Sequence, residues 1–243
     1  MRNFPSNPKL NKKFFCKILF LISVFLFSTC TQDKTGLIEP TPETSDTVTD
    51  IDGNLYQTVT IGTQVWMAEN LKTTRYRNGE AIPQVTVDSL WPKLRTGAYC
   101  KYNNDYRHAE LYGNLYNWYA VTDERQLAPE GWHVPTDDEW QILVDYLGGK
   151  DVAGGKMKQT GATMWQEPNT GATDASGFYG LPGGYRHYRY GTSIYKGVYA
   201  LFWSSTQGTD WYAFYRELTH INTAVNRNYG DKPNGFSVRC IRD

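Results

Sequence analysis

The chain has 243 residues, enough for one ordinary globular domain or two small ones. Its 25 Lys and Arg balance 25 Asp and Glu, which excludes a nucleic-acid binder that works through a broad basic surface. With 40% hydrophobic and 21% charged residues it is not a disordered chain either.

The charge is segregated. Residues 1–30 hold five basic residues and no acid, whereas residues 31–50 hold five acids and one Lys. The basic start is followed by an apolar run, Ile18 to Phe27, interrupted only by Ser23, and together they read as an export signal. The run is too short to span a membrane, which takes about 20 residues. It ends in Ser28-Thr29-Cys30, which resembles a bacterial lipoprotein signal, where the Cys is lipidated and becomes the mature N-terminus. A plain signal peptide with an incidental Cys is the alternative. The Thr, Pro and acidic residues that follow cannot bury a core and serve as a solvated link. The expected organisation is a signal peptide over 1–29, a flexible acidic tether over 30–48 and a body over 49–243. The protein is then exported and held at the outer membrane, facing the cell surface, by a lipid on Cys30.

The body opens with strands from Val48 to Met67, broken by turns at Asp52-Gly53-Asn54 and Gly62-Thr63. Leu55, Gln57, Val59 and Ile61 are expected on one face, and Tyr56, Thr58 and Thr60 on the other. Residues 72–110 lack sustained periodicity and read as long ordered loops. Asn114 to Val121 fits a short helix. Thr136 and Glu139 form a T-x-x-E capping box before Trp140, Leu143, Val144 and Leu147, which fall on one helical face, and Gly148 ends the helix. The stretch from Gly148 to Gly197 is rich in Gly, Tyr and Thr, and long ordered loops of this kind tend to be functional. Strand-like pieces close the chain at Tyr199–Ser205, Trp211–Leu218, Ala224–Asn228 and Phe236–Arg242. This order predicts an α+β protein with two main helices, short antiparallel sheets and long loops. Aromatics are 15% of the residues, beside 22 glycines, so large rings are expected to fill its core. Cys100 and Cys240 are the two cysteines of the body, and in an oxidising compartment they are expected to pair as a disulfide.

Seven segments identify a family resemblance: residues 49–73 (TDIDGNLYQTVTIGTQVWMAENLKT), YCKYNND at 99–105, YGNLYNWYAV at 112–121, GWHVPTDDEW at 131–140, GFYGLPGGYR at 177–186, FWSST at 202–206 and GFSVRCIRD at 235–243. Together they resemble the Fibrobacter succinogenes major paralogous domain over about residues 49–243. The resemblance implies a C-type lectin-like fold and an exported lipoprotein without an assigned reaction. Lys101 stands where that family often has Trp.

Several motifs were weighed for chemistry. Gly154-Gly155-Lys156-Met157 fails as a phosphate-binding loop, because position 150 is Lys and Met157 replaces Ser or Thr. His108, His133, His187 and His220 make no metal-ligand spacing, and no metal or cofactor is expected. Ser204-Ser205 lack the G-x-S-x-G elbow. Glu167-Pro168-Asn169 matches the tripeptide with which C-type lectins hold calcium and sugar, but its Trp-Asn-Asp companion is missing.

The segment from 207 to 234 is dense in Tyr and Asn, the residues of adaptable binding surfaces. It resembles the variable region of proteins diversified by retroelements. Tyr212, Tyr215, Asn222, Asn226 and Asn228 are the expected ligand-binding residues, presented largely to solvent on one face. The expected function is non-enzymatic binding of a surface ligand, a glycan or a protein, with the outer membrane as anchor and no nucleic acid. A polysaccharide-active enzyme and a structural part of an envelope assembly are the alternatives.

Overall fold

The computed structural model describes residues 46–243. The signal peptide, Cys30 and the tether up to residue 45 lie outside the described residues. The strand expected from Val48 starts one residue earlier, with β1 (Thr47–Thr49).

Asp50 closes the first turn. Its carboxylate accepts from the backbone N–H of Asp52 at 3.0 Å and of Asn54 at 2.9 Å, and from the Tyr56 hydroxyl at 2.6 Å. Strand β2 (Leu55–Ile61) runs back along β1 and turns at Gly62, whose φ of +63° suits glycine, into β3 (Gln64–Met67). The C-terminal strand β12 (Ile241–Arg242) lies beside β3 and also pairs with β6 (Trp132–His133). The sheet order is β1-β2-β3-β12-β6, so both ends of the body share one sheet. The expected alternation of β2 holds, and both of its faces carry buried residues. Leu55 is 54% exposed and Tyr56 is fully buried, whereas Val59 and Ile61 are buried on the other side. The alternation is right, but the sheet lies between two cores, so burial does not follow one face along the strand. Tyr56 and Met67 join one aromatic cluster; Val59, Ile61 and Trp66 join the other.

Four α-helices are present among the described residues, not two. The helix expected at 136–147 is α3 (Asp137–Tyr146). Its capping box forms as predicted: Thr136 Oγ1 accepts from Glu139 N at 3.2 Å, and Glu139 Oε2 accepts from Thr136 N at 2.7 Å. The helix expected at 114–121 is shorter, α2 (Trp118–Val121), because Leu115–Tyr116 is instead strand β5 against β4 (Tyr99–Cys100). Asn117 caps α2 through Ala120 N at 3.1 Å. Two further short helices stand beside these two. Helix α1 (Tyr106–Tyr112) lies in the presumed loop region and is capped by Asp105. Helix α4 (Ala153–Met157) holds the Gly154-Gly155 pair. A Cβ at Gly154 would stand 2.3 Å from the Ala224 carbonyl oxygen, so this pair serves a close backbone approach.

The second sheet is β9 (Tyr199–Gln207), β10 (Tyr212–Thr219) and β11 (Asn226–Asp231), in the order β11-β10-β9. One face carries Phe202 and Leu218 into the cluster around Trp66, Trp140 and Phe178. The rings there interlock, with Trp66–Trp140 centroids at 4.7 Å and Phe178–Phe202 edge to face at 5.5 Å. The other face carries Leu201 and Trp203 into the cluster with Tyr116 and Phe236. Residues 236–242 form strand only at Ile241–Arg242; Phe236 bridges to Tyr116 and Ser237 to Phe202, tying the two sheets together.

The expected Cys100–Cys240 disulfide is not formed. Both thiols are free and fully buried. Cys100 packs with Trp91, Tyr102 and Leu115, whereas Cys240 belongs to the separate cluster with Tyr116 and Trp203. The α+β class holds: small antiparallel sheets with short helices around three buried clusters rich in aromatic rings. No helix among the described residues is long and apolar enough to cross a membrane.

Candidate functional site

Strand β10 alternates between two environments. Arg216 points toward α3, where it pairs with Asp137 and also donates to the Asp137 carbonyl at 2.9 Å. Tyr215 and Glu217 therefore take the opposite face. There Tyr215 stands across from Trp203 on β9 and Asn228 on β11, and Glu217 across from Leu201 and Asn226. The face is covered in part by a hairpin of two strands, β7 (Tyr185–Arg186) and β8 (Ser193–Ile194), and by the chain that leads from it into β9.

A cleft of about 230 Å³ lies between them, lined by five tyrosines (185, 188, 195, 199 and 215), with Glu217 and His187 beside them. The rings brace one another at steep and shallow angles. Phe236 meets Tyr185 edge on at 5.5 Å and Tyr215 at 4.8 Å. Tyr195 stacks on Tyr185 at 6.0 Å and meets Tyr199 edge on at 5.3 Å. Such a frame holds side chains in place by packing, at little entropic cost on binding. Glu217 Oε1 accepts from Asn226 Nδ2 at 2.9 Å. His187 Nδ1 accepts from Arg189 N at 3.0 Å, so the neutral ring carries its proton on Nε2. Burial pushes the hydroxyls of Tyr185 and Tyr215 up to about 12, with nearby charge on Glu217 adding to both. Burial also pulls His187 below its usual value.

Three of the five residues expected from the sequence come together here. Tyr215 lines the cleft, Asn226 orients Glu217, and Asn228 stands opposite Tyr215. The other two are elsewhere. Tyr212 packs against Tyr229, centroids at 5.6 Å, at the far end of the hairpin. Asn222 lies in the turn before β11, where its Oδ1 accepts from Ala224 N at 3.0 Å and its carbonyl from Lys158 Nζ at 2.8 Å. The expected presentation of all five to solvent is also corrected. Each is half-buried: Tyr215 under the β7–β8 hairpin, Asn226 against Glu217, Tyr212 against Tyr229, and Asn222 in its turn beside Lys158. Tyr185, His187, Tyr188, Tyr195 and Tyr199 escaped selection by sequence. Their only signal was the tyrosine density of the Gly-rich stretch before β9.

The other motifs resolve into scaffold. Asn169 is buried and gives both Nδ2 protons to carbonyls, of Gln159 at 3.0 Å and Gly161 at 2.7 Å. No group of three or more His, Cys, Asp and Glu suited to a metal occurs among the described residues. His133 borders a second cavity of about 360 Å³, which Ser205 and Asp243 also line. Its Nδ1 lies 2.6 Å from Asp243 Oδ1 and its Nε2 2.8 Å from Glu139 Oε1. Both nitrogens are occupied by carboxylates, so neither is left to act as a base for Ser205.

The described residues thus form an α+β scaffold with a tyrosine-lined cleft beside the three-stranded sheet. The chain belongs to the Fibrobacter succinogenes major domain family, whose model matches residues 59–242. No curated protein and no solved structure matches the chain.

Proposed function

We propose that this is a non-enzymatic ligand-binding protein that takes its ligand in the tyrosine cleft. The cleft is the observation that carries this reading: a preformed concavity with convergent polar groups on a braced aromatic frame is where a small ligand loses most water for least ordering. At about 230 Å³ it is smaller than the roughly 300–1,000 Å³ of drug-sized ligand sites, so it suits one ring or head group of a larger ligand. Tyr215, Asn226 and Asn228 act in the cleft or at its edge; Tyr212 and Asn222 act as scaffold.

The C-type lectin-like arrangement belongs to the same proposal. It is supported by the sheet that gathers both ends of the body and by the long loops carried between the two sheets. The anchor is a lipid on Cys30, supported by the signal-like residues before it, and it holds the body at the outer membrane, outside the cell. Diversification of the 207–234 segment fits a hairpin whose side chains reach the cleft from β10 and β11.

The test is binding by the full-length lipidated chain to glycan and surface-protein arrays, alongside Tyr215→Leu and Cys30→Ser. Tyr215→Leu is expected to lose the array ligand while the protein stays folded at the assay temperature, and Cys30→Ser to move the protein out of the membrane fraction. Undiminished array binding by Tyr215→Leu would overturn the cleft, and unchanged membrane partitioning of Cys30→Ser would overturn the anchor.

A further inference from the structure

The cleft has a distinctive charge pattern. Glu217 is half-buried among rings and takes part in no ion pair among the described residues. No Lys or Arg lines the cleft, and Arg189 lies over the Tyr190 ring at 5.9 Å, outside the lining. The hydrogen-bond partner of Glu217 among the described residues is the neutral amide of Asn226, so the carboxylate faces the rings without a positive partner. The surrounding hydroxyls stay protonated at neutral pH, because burial raises Tyr185 and Tyr215 to about 12. His187 stays neutral, because burial lowers it. The site therefore offers one negative charge set among neutral aromatic rings.

We propose that the cleft is an aromatic cage for an organic cation, a quaternary or methylated ammonium group, with Glu217 as its counter-charge and the rings of Tyr185, Tyr195, Tyr199 and Tyr215 around it. This rests on the reading of the cleft as the ligand site. Aromatic rings carry negative potential on their faces, which repels anions and attracts a weakly hydrated cation. A hard metal ion needs several oxygen ligands, and Glu217 is the one carboxylate in the lining. A neutral sugar ring would stack on the tyrosines and donate hydroxyls to Glu217, but it would bring no positive charge to the carboxylate. An alkylated ammonium satisfies both: its methyl groups pack on the rings and its charge meets the carboxylate. The volume of the cleft fits such a head group better than an extended chain.

The test is calorimetric titration of the full-length protein, held in a maltoside detergent, with choline chloride. A parallel titration uses 3,3-dimethylbutan-1-ol, which has the same shape and no charge. Choline is expected to bind saturably, with the alcohol about tenfold weaker or worse. Glu217→Gln keeps an oxygen for Asn226 and is expected to bind choline about tenfold more weakly at unchanged thermal midpoint. Tyr199→Leu should lose a similar factor. Failure of choline to bind, equal binding of the alcohol, or indifference to Glu217→Gln would overturn the cation. If an array ligand is nevertheless lost with Tyr215→Leu, the cleft remains a ligand site and only the cation falls; if array binding survives that substitution, both fall. Phosphatidylcholine vesicles separate two sources of the same chemistry. With the unanchored Cys30→Ser protein, co-sedimentation blocked by free choline assigns a lipid-borne head group, and choline binding without co-sedimentation assigns a free cation. Either result upholds the cage.

Discussion

Replacing Asp137 by Asn tests what holds the cleft face in register. Asp137 is the first residue of α3, and its carboxylate reaches two strands at once. It pairs with Arg216 of β10 and accepts from Arg227 Nε of β11 at 2.7 Å. The Arg216 side chain is 1% exposed, whereas Arg227 is about half exposed at 49%. The two bonds therefore differ in weight. Arg227 can turn to water, so its loss costs little. Arg216 cannot, so Asp137→Asn strands a buried guanidinium without its counter-charge. Breaking one side of a buried pair typically costs about 3–5 kcal/mol. For a body of this size each kcal/mol moves the thermal midpoint by about 2–4 °C, so a fall of roughly 6–20 °C is expected. Near-UV circular dichroism would follow unfolding, and a urea midpoint would check the free energy. The double variant Asp137→Leu with Arg216→Met removes both charges and should recover most of the loss. A fall below about 3 °C for Asp137→Asn would show that the pair is not the buried constraint described here. A double variant as unstable as the single one would show that lost packing, not stranded charge, is the cost. The consequence for the cleft follows from alternation. Arg216 lies between Tyr215 and Glu217, so loosening it disturbs both, and choline affinity should fall together with stability.

His133 gives a pH dependence with a definite sign. Burial works against its charge, but bonds to Asp243 and Glu139 outweigh it and raise its pKa above the usual value of about 6.5. Its stabilising effect is therefore fully present below about pH 6.5 and lost as pH rises through the folded-state value. The difference in thermal midpoint between the natural protein and His133→Gln should shrink as pH rises from about 6.5 through the raised folded-state value; a constant difference would refute the doubly bonded imidazolium. The two body cysteines should resist a thiol reagent in the folded protein and react in denaturant, because burial pushes Cys100 up to about 11 and Cys240 further still. Peptide mapping that finds Cys100 linked to Cys240 would contradict this. Lys158 is fully buried and donates to the carbonyls of Thr170, Thr219 and Asn222 at 2.8–3.0 Å, so Lys158→Met should cost about 2–4 kcal/mol and speed hydrogen exchange around residues 219–223. Unchanged exchange there would deny the lysine its role as a loop staple.

Local signals were readable wherever the chemistry is local. The α3 cap needs only Thr136 and Glu139, three residues apart, and it formed as read. The Asp50 turn is similarly self-contained. What the sequence hid depends on long-range pairing. Leu115–Tyr116 reads as helix from its neighbours, yet β4 supplies a strand partner and wins. Cys100 and Cys240 look like a pair by count, yet each fills a gap in a different aromatic cluster, where the thiol acts as a small apolar group. The cleft follows the same logic. Its β10 and β11 members lie close in sequence and could be selected by their Tyr and Asn content. The tyrosines at 185, 188 and 195 come from a hairpin whose place over the sheet is set by contacts that no local pattern encodes. Arg186 shows how far those contacts reach: it is fully buried, donates to the Val85 carbonyl at 2.8 Å, and lies over the Trp91 ring at 4.7 Å. The strand bearing Tyr185 is thus held by residues about 100 positions earlier in the chain.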